Sequence, residues 1–304
     1  MHIKQHWLDV SDGASIYLKQ WLPENEAIGV LQIAHGMVEH IERYHDFASY
    51  CTSLGFVVIG CDHRGHGKTG DTGIQGYFTE KNGFRRVVTD LYEIMQFGKD
   101  AFPHLPYYCL GHSMGSFLMR NFIQHYSTEI DGVILTGTGH YSRIVTAIGK
   151  RVASLLPATK PSPLMNNLVL GSSMKRDKHY KHEWLTRDKT LADAYEVDPY
   201  TGFIPTARFF YDLLEGIYQT RDQNLNQHIR KNLPLLLISG DQDPIGQYGN
   251  GVWKTADLFQ KSGLTNILVQ VYEGGRHELL NDTCRKEVFE FIGRWLKHSK
   301  KDNN

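Results

Sequence analysis

The sequence of 304 residues carries only four cysteines, Cys51, Cys61, Cys109 and Cys284, and no CxxC spacing joins any two of them. Neither a disulfide framework nor a thiolate zinc site is expected, and a reducing compartment is the natural setting. Cys61 and Cys109 end apolar runs, as buried core thiols do. Excess charge of either sign is lacking as well. Lys plus Arg and Asp plus Glu both total 33, the net charge is zero, and the pI is near 7.3. A nucleic-acid binder usually carries a basic excess, so that class is not expected. No apolar stretch approaches the roughly 18 residues that span a bilayer. The opening residues, Met1-His2-Ile3-Lys4-Gln5-His6-Trp7, have neither the apolar centre nor the cleavage site of a signal peptide. A cytoplasmic globular protein is the expectation. Internal repeats and low-complexity tracts are also missing.

What is present is a rhythm. Hydrophobic residues make up 41% and charged ones 22%, the balance of an ordinary globular chain. His6–Val10 and Ser15–Leu22 alternate like strands around a turn at Asp12-Gly13. Gly29–Ala34 and Phe56–Cys61 are short apolar runs, with a helical pattern over Phe47–Leu54 between them. Phe84, Val87, Val88, Leu91, Ile94 and Met95 fall at helical spacing within residues 83–98. A strand at Tyr107–Leu110, a helix at Met114–Tyr126 and a strand at Gly132–Leu135 follow. Such alternation predicts a mostly parallel sheet with helices on both faces, an α/β fold.

The rhythm stops from about His140 to Gln227, where no convincing strand appears, and then returns. Leu233–Ser239 and Ile267–Tyr272 read as strands, and Val252–Lys261 and Val288–Lys297 as helices. The expected organisation is a core domain of residues 1–139 and 228–304, with a helical cap inserted at 140–227. A cap there would lie over the carboxyl ends of the strands, where open α/β sheets hold ligands. Leu155, Leu156, Leu164, Leu168, Phe203, Phe209 and Phe210 give the insertion more apolar mass than a surface segment needs. The aromatics of Phe203–Tyr211 suit an acyl tunnel or packing within the cap equally well. The basic run Lys175-Arg176-Asp177-Lys178-His179-Tyr180-Lys181-His182 suits a solvated face, or contact with anionic lipid headgroups.

Gly111-His112-Ser113-Met114-Gly115 matches G-x-S-x-G between a predicted strand and a predicted helix. A strand-to-helix turn this tight needs small residues beside the serine, and it lifts the hydroxyl above the sheet at the positive end of a helix dipole. A serine hydroxyl needs a base, itself oriented by an acid. The strand at Leu233–Ser239 runs into Gly240-Asp241-Gln242-Asp243-Pro244, and the strand at Ile267–Tyr272 into Glu273-Gly274-Gly275-Arg276-His277. This is the order serine, acid, histidine. His277 is the expected base. Asp241 and Asp243 both lie in the turn; Asp243, followed by Pro244, is the preferred acid, leaving Asp241 to bond its own backbone. Two backbone N–H groups are expected to hold the oxyanion: that of Met114, after the nucleophile, and that of Met37, in the loop His35-Gly36-Met37-Val38-Glu39-His40.

The last loop with Arg43-Tyr44, the segment Asp62-His63-Arg64-Gly65-His66-Gly67, and Gly111–Gly115 together resemble the monoacylglycerol lipase and lysophospholipase group of serine aminopeptidase-like hydrolases. The resemblance runs from about residue 10 to 297. It implies the α/β-hydrolase fold, Ser113, Asp243 and His277 as triad, Met37 and Met114 as oxyanion donors, and esters of lipid-like alcohols as substrates. Relatives often carry a smaller residue than Met37, so a narrowed pocket is expected. Peripheral membrane contact through the cap is a further expectation.

Four alternative readings make distinct demands on the sequence. A metal site would draw on His35, His40, His63 and His66, but their spacing is neither H-E-x-x-H nor H-x-x-E-H. His63 and His66 are expected to bond backbone groups in their glycine-rich loop. A non-catalytic binding protein would have no use for Asp243. An amidase or aminopeptidase needs an acidic clamp for the substrate amine, and Glu183, Asp188, Asp193, Glu196 and Asp198 could supply one. A dehalogenase would carry Asp in place of Ser113. The ester mechanism calls for no cofactor.

Overall fold

A computed structural model of the chain describes residues 1–174 and 179–301. Eight strands form one sheet in the order β1-β2-β4-β3-β5-β6-β7-β8: β1 (His2–Asp9), β2 (Ser15–Leu22), β3 (Gly29–Ala34), β4 (Phe56–Cys61), β5 (Tyr107–His112), β6 (Gly132–Thr136), β7 (Leu235–Gly240) and β8 (Ile267–Tyr272). The β1–β2 hairpin is antiparallel and β2 runs antiparallel to β4; every later pairing is parallel. Strands β3 to β7 are buried along their whole length. Burial on both faces explains why they read as continuous apolar runs rather than as alternating ones.

Two cores result. Helices α3 (Gly83–Ala101), α4 (Met114–Tyr126) and α10 (Asn250–Lys261) cover one face, packing on Val57, Cys109, Val133, Leu135 and Leu237. Helices α1 (His45–Ser53) and α11 (Arg285–Lys301) cover the other, packing on Leu31, Val58, Leu110, Ile134 and Ile238. The four-residue helix α2 (Gly67–Gly70) lies in the loop after β4. Cys61 and Cys109 are buried free thiols.

Between β6 and β7 the chain leaves the sheet for α5 (Arg143–Ser154), α6 (Pro163–Met174), α7 (Lys189–Val197), α8 (Ala207–Gln219) and α9 (Gln223–Asn226). Capping residues start four of them. Ser142, Asp188, Thr206 and Asp222 each accept a backbone N–H two or three residues on. The amphipathic α8 packs on α5 and on the core helices α3 and α4. Phe209 and Phe210 are fully buried. Phe209 lies 4.8 Å from Phe78 and 5.6 Å from His66. These two aromatics are therefore packing residues that fasten α8 to the core.

Strand β1 begins four residues earlier than the alternation predicts. His2–Gln5 pair with Lys19–Leu22 but bury little, so no apolar period marks them. The final helix likewise extends the expected Val288–Lys297 at both ends.

Candidate active site

Strand β5 ends one residue before Ser113, and α4 begins one residue after it. The backbone at Ser113 stands at φ 52° and ψ −116°, a conformation rare for any side chain but glycine. Strain of this kind costs on the order of 1–3 kcal/mol and persists where the surroundings impose it. Here the Ser113 N–H donates to the Thr136 carbonyl at 2.9 Å, and the N–H and hydroxyl of Ser116 both reach the Ser113 carbonyl. A side chain at Gly115 would collide with the Ala34 carbonyl, so only glycine lets α4 start so close to β3.

His277, in the loop after β8, and Asp243, in the loop after β7, meet this serine. His277 Nε2 is 2.9 Å from Ser113 Oγ, and His277 Nδ1 is 2.9 Å from Asp243 Oδ1. Asp243 is fully buried, and its Oδ1 also accepts the Ile245 N–H at 2.8 Å. Burial alone would push the His277 ring downward. The Asp243 charge and hydrogen bond outweigh it, helped by Glu278 and Glu39, and hold the ring above its ordinary value. Asp241 stands apart: its Oδ1 accepts the Gly274 N–H at 2.8 Å and so ties the two loops together. It bonds the neighbouring loop rather than its own backbone, because Gly240 and Tyr272 are paired and bring the loops side by side.

Met114 is the first residue of α4, so its N–H has no acceptor within the helix. Met37 lies in the loop after β3, and both methionines line a cavity with Ser113. Gly36 lies against Ser113 and His112, and its N–H is held by Glu39 Oε1.

The sequence reading assigned no role to the network behind this loop. Arg43 grips Glu278 with both terminal nitrogens, at 2.8 and 2.5 Å, and Glu39 with one, at 2.6 Å. Burial would raise the Glu278 carboxyl, but Arg43 holds it down at about 2. Tyr44 donates to Glu39 at 2.8 Å. The Tyr195 ring lies 4.8 Å from the Arg43 guanidinium, and its hydroxyl donates to the Val38 carbonyl at 3.2 Å. Arg43 thus joins the loop of Met37 to the loop of His277. Glu39 and Arg43 lie within the motifs that carry the family resemblance, whereas Glu278 has no signal of its own beyond its place next to His277.

A second support comes from the segment before α7. Trp184 stacks on His277 at 5.3 Å between ring centroids. The Trp184 and Leu185 carbonyls accept the N–H groups of His277 and Glu278, at 3.4 and 2.8 Å. Thr186 Oγ1 donates to the Asn281 carbonyl, and Arg187 bonds Asp282.

Two cavities meet at Ser113. The larger, about 160 Å³, is apolar and lined by Phe117, Leu168, Leu213, Leu214 and Ile217, beside Met37 and Met114. The smaller, about 40 Å³, is lined by Glu39, His112, Trp184, Tyr195, His277 and Glu278. Met37 borders both, so the bulky side chain expected to narrow the pocket sits at their junction. Leu168 lines the apolar cavity while remaining partly open to solvent, and Leu155 and Leu164 are exposed without lining it.

His35, His63 and His66, from the other motifs, are buried and neutral. Burial pushes His63 down to about 3 and His66 to about 4, and lowers His35 too. His66 Nδ1 meets the Arg64 carbonyl, as its glycine-rich loop suggested, whereas His63 accepts no such role: its own backbone N–H donates to His35 Nε2. Among the described residues, no group of three or more His, Cys, Asp and Glu side chains is arranged to hold a metal ion.

An eight-stranded, mostly parallel sheet carrying a serine, an aspartate and a histidine after β5, β7 and β8 defines an α/β-hydrolase. Residues 25–284 match the family described as serine aminopeptidase, S33, and the chain belongs to that family. It is similar to the monoacylglycerol lipase of Mycolicibacterium smegmatis, at 26% identity over 93% of each chain. The monoglyceride lipase of Rattus norvegicus is 24% identical over 95% of this chain and 88% of its own. Among solved structures, a highly thermostable carboxyl esterase from Bacillus coagulans in complex with glycerol superposes with a TM-score of 0.90, at 27% identity over 99% of both chains. A lipase in its open form superposes with a TM-score of 0.88, at 26% identity over 98% of this chain and 99% of its own. With these relatives, the chain is a carboxylic ester hydrolase.

Proposed function

We propose that the protein hydrolyses monoacylglycerols through an acyl-enzyme on Ser113. The observation that carries the reading is the pair of unlike cavities meeting at that residue. Ser113 Oγ attacks the ester carbonyl while His277 Nε2 takes its proton, and Asp243 keeps the ring oriented. The N–H groups of Met37 and Met114 hold the oxyanion. His277 then protonates the leaving alcohol, and water activated by the same ring releases the fatty acid.

This sequence of steps assigns the cavities. The alcohol leaves on the side of His277, into the small cavity bordered by Glu39 and Glu278; the acyl chain lies on the side of Met114, in the larger apolar one. Glu39 and Glu278 border that cavity, and the lone pairs left by their bonds to Arg43, Tyr44 and the Gly36 N–H are the acceptors for the hydroxyls of a small polyol. One arginine against two carboxylates leaves that cavity without positive charge to spare, which disfavours the phosphate of a lysophospholipid.

An aminopeptidase would place a charged amine on the acyl side, where the wall is apolar. The residues that could clamp an amine are engaged elsewhere. Asp188 caps α7 and pairs with Arg285, Asp193 pairs with Lys189, and Glu196 with Lys181 and His182. Asp198 bonds His40 and Glu183 meets Arg276.

Residues 140–227 serve in this reading as a cap over the site. Ile144, Val145, Ile148, Leu164 and Leu168 are exposed on α5 and α6, beside the apolar cavity, and would rest on a lipid surface from the cytoplasmic side. Lys175 to Lys178, half of the basic run, lie outside the described residues. No described helix is long and apolar enough to cross a membrane.

The test is a hydrolysis panel. Monooctanoylglycerol should outpace the matching lysophosphatidylcholine and an octanoyl anilide by at least about tenfold in kcat/KM. Equal or faster turnover of the lysophospholipid would overturn the headgroup assignment.

A further inference from the structure

Arg120 lies on α4, two turns beyond Ser113, and is wholly buried. Its Nη1 donates to the Gly139 carbonyl at 2.8 Å and to Thr138 Oγ1 at 3.3 Å. Nε and Nη2 are buried and have no partner among the described residues. Those two nitrogens form one edge of the guanidinium, the edge on which arginine takes an anion with two parallel hydrogen bonds. Phe117 and Phe259 flank the group, their ring centroids 5.5 and 5.8 Å from its central carbon. Burial, aided by Arg221, pushes the guanidinium down to about 9, so it still carries its charge at neutral pH. A buried cation without a counter-charge is strongly disfavoured.

The neighbours repeat the pattern. Arg221 Nη1 donates to the Tyr141 carbonyl at 3.1 Å, while its Nε is buried and unpartnered. His140 Nδ1 is buried and unpartnered too. Burial, with Arg221, Arg120 and Lys254, pushes the His140 ring down to about 4, so the imidazole is neutral. Two guanidinium groups thus bond the loop 138–141, which itself carries a neutral imidazole. Asp257, the acid acting on His140, is at the surface and paired with Lys261.

We propose that Arg120, completed by Arg221 and the loop 138–141, binds a small monovalent anion of halide or formate size. Monovalency follows from the single unspent edge on Arg120; because that edge has no accessible surface, only a small anion can enter, and its neighbours must give way to admit it. The anion would brace the acid of the site. The Tyr141 hydroxyl donates to the Ile245 carbonyl at 3.1 Å, Gln247 donates to the His140 carbonyl at 2.6 Å, and the Ile245 N–H holds Asp243. This site stands or falls independently of the ester substrate.

The test is thermal unfolding at constant ionic strength, with sodium gluconate replaced stepwise by chloride, bromide or formate, together with anomalous diffraction from a bromide-soaked crystal. In the wild type, Tm should rise saturably by about 3–6 °C as the small anion replaces gluconate. A bromide peak should lie on the Nε/Nη2 edge of Arg120. A larger effect of formate than of chloride assigns the planar carboxylate; the reverse assigns the halide. Arg120→Met should abolish the dependence, and Arg221→Gln, at a partly exposed position, should weaken it at least tenfold in half-saturating concentration. Identical Tm values in all four salts, with water and no bromide on that edge, would overturn the proposal even if Arg120→Met fails to fold.

Discussion

The φ of 52° at Ser113 places its hydroxyl within hydrogen-bond reach of one histidine nitrogen, and the role proposed for each member of that chain can be tested singly. Ser113→Ala should lower kcat by roughly 10⁴- to 10⁶-fold with folding intact, as such knockouts do. A fluorophosphonate should label the wild type at Ser113, and labelling that persisted in the alanine variant would remove the residue from its role. The two aspartates separate by their partners. Asp243→Asn should cost about 10³- to 10⁴-fold, because the His277 ring loses its orientation and its tautomer. Asp241→Asn keeps an oxygen for the Gly274 N–H and should cost little in kcat. Base catalysis needs a neutral ring, and the His277 ring is held above 6.5 by Asp243, Glu278 and Glu39 against its burial. The acid limb of kcat/KM should therefore lie above pH 6.5. Glu278→Gln should move that limb to lower pH, which a pH–rate profile of the two proteins would show.

At the scale of elements, the loops after β3 and β8 are joined through Arg43, and α6 and α8 line the apolar cavity. Arg43→Met should lower kcat and kcat/KM together, by about 10- to 100-fold, if the main effect of joining these loops is to position the proposed base and oxyanion donor. Active-site titration with the fluorophosphonate checks that the loss is per competent site; a rise in KM alone would make Arg43 a substrate contact instead. In the apolar cavity each further buried CH₂ contributes about 0.8 kcal/mol. For monomeric esters, kcat/KM should rise from acetyl to at least octanoyl, and Leu168→Trp should shift the optimum to shorter chains. A profile that peaks at acetate would remove the acyl assignment. The strands and the three loops of the site were legible because apolar runs, turn residues and a nucleophile motif are local signals. The helices between β6 and β7 were legible only as an interruption. Their caps at Ser142, Asp188, Thr206 and Asp222 are local signals too, but proline and aromatic clusters hid the period behind them. Trp184, Tyr195 and Glu278 could not be read as supports, because stacking and ion pairing across 90 to 235 positions leave no trace in spacing.

For the whole molecule the buried histidines set a stability limit. His35, His63, His66 and His112 are held neutral by burial, and on unfolding each regains a value near 6.5. A group whose folded value is depressed loses its contribution as pH falls below the unfolded value. Stability should thus decline from about pH 6.5 downward, by about 1.4 kcal/mol per pH unit for each histidine, until the folded values near 3 to 4 are reached. His277 acts oppositely: its raised value adds stability below pH 6.5 that is lost as pH rises through it. Urea unfolding between pH 4 and 7 measures the net slope. His66→Gln should flatten it by about one histidine's share, and an unchanged slope would mean that the ring is charged in the native protein.

The main-chain bonds from Trp184 and Leu185 to the histidine loop have a consequence for recombining this enzyme with its relatives. Substrate range in such a fold invites exchange of everything between β6 and β7 as one block. Here that block carries, in its middle, the backbone that holds His277, the proposed base. A chimera built at the obvious seams would import a foreign mount for His277 along with the new acyl wall, and a change in selectivity would come mixed with a damaged catalyst. Exchanges confined to α5–α6 and to α8 replace the wall and leave residues 184–187 native. The productive breakpoints therefore lie inside the insertion rather than at its edges.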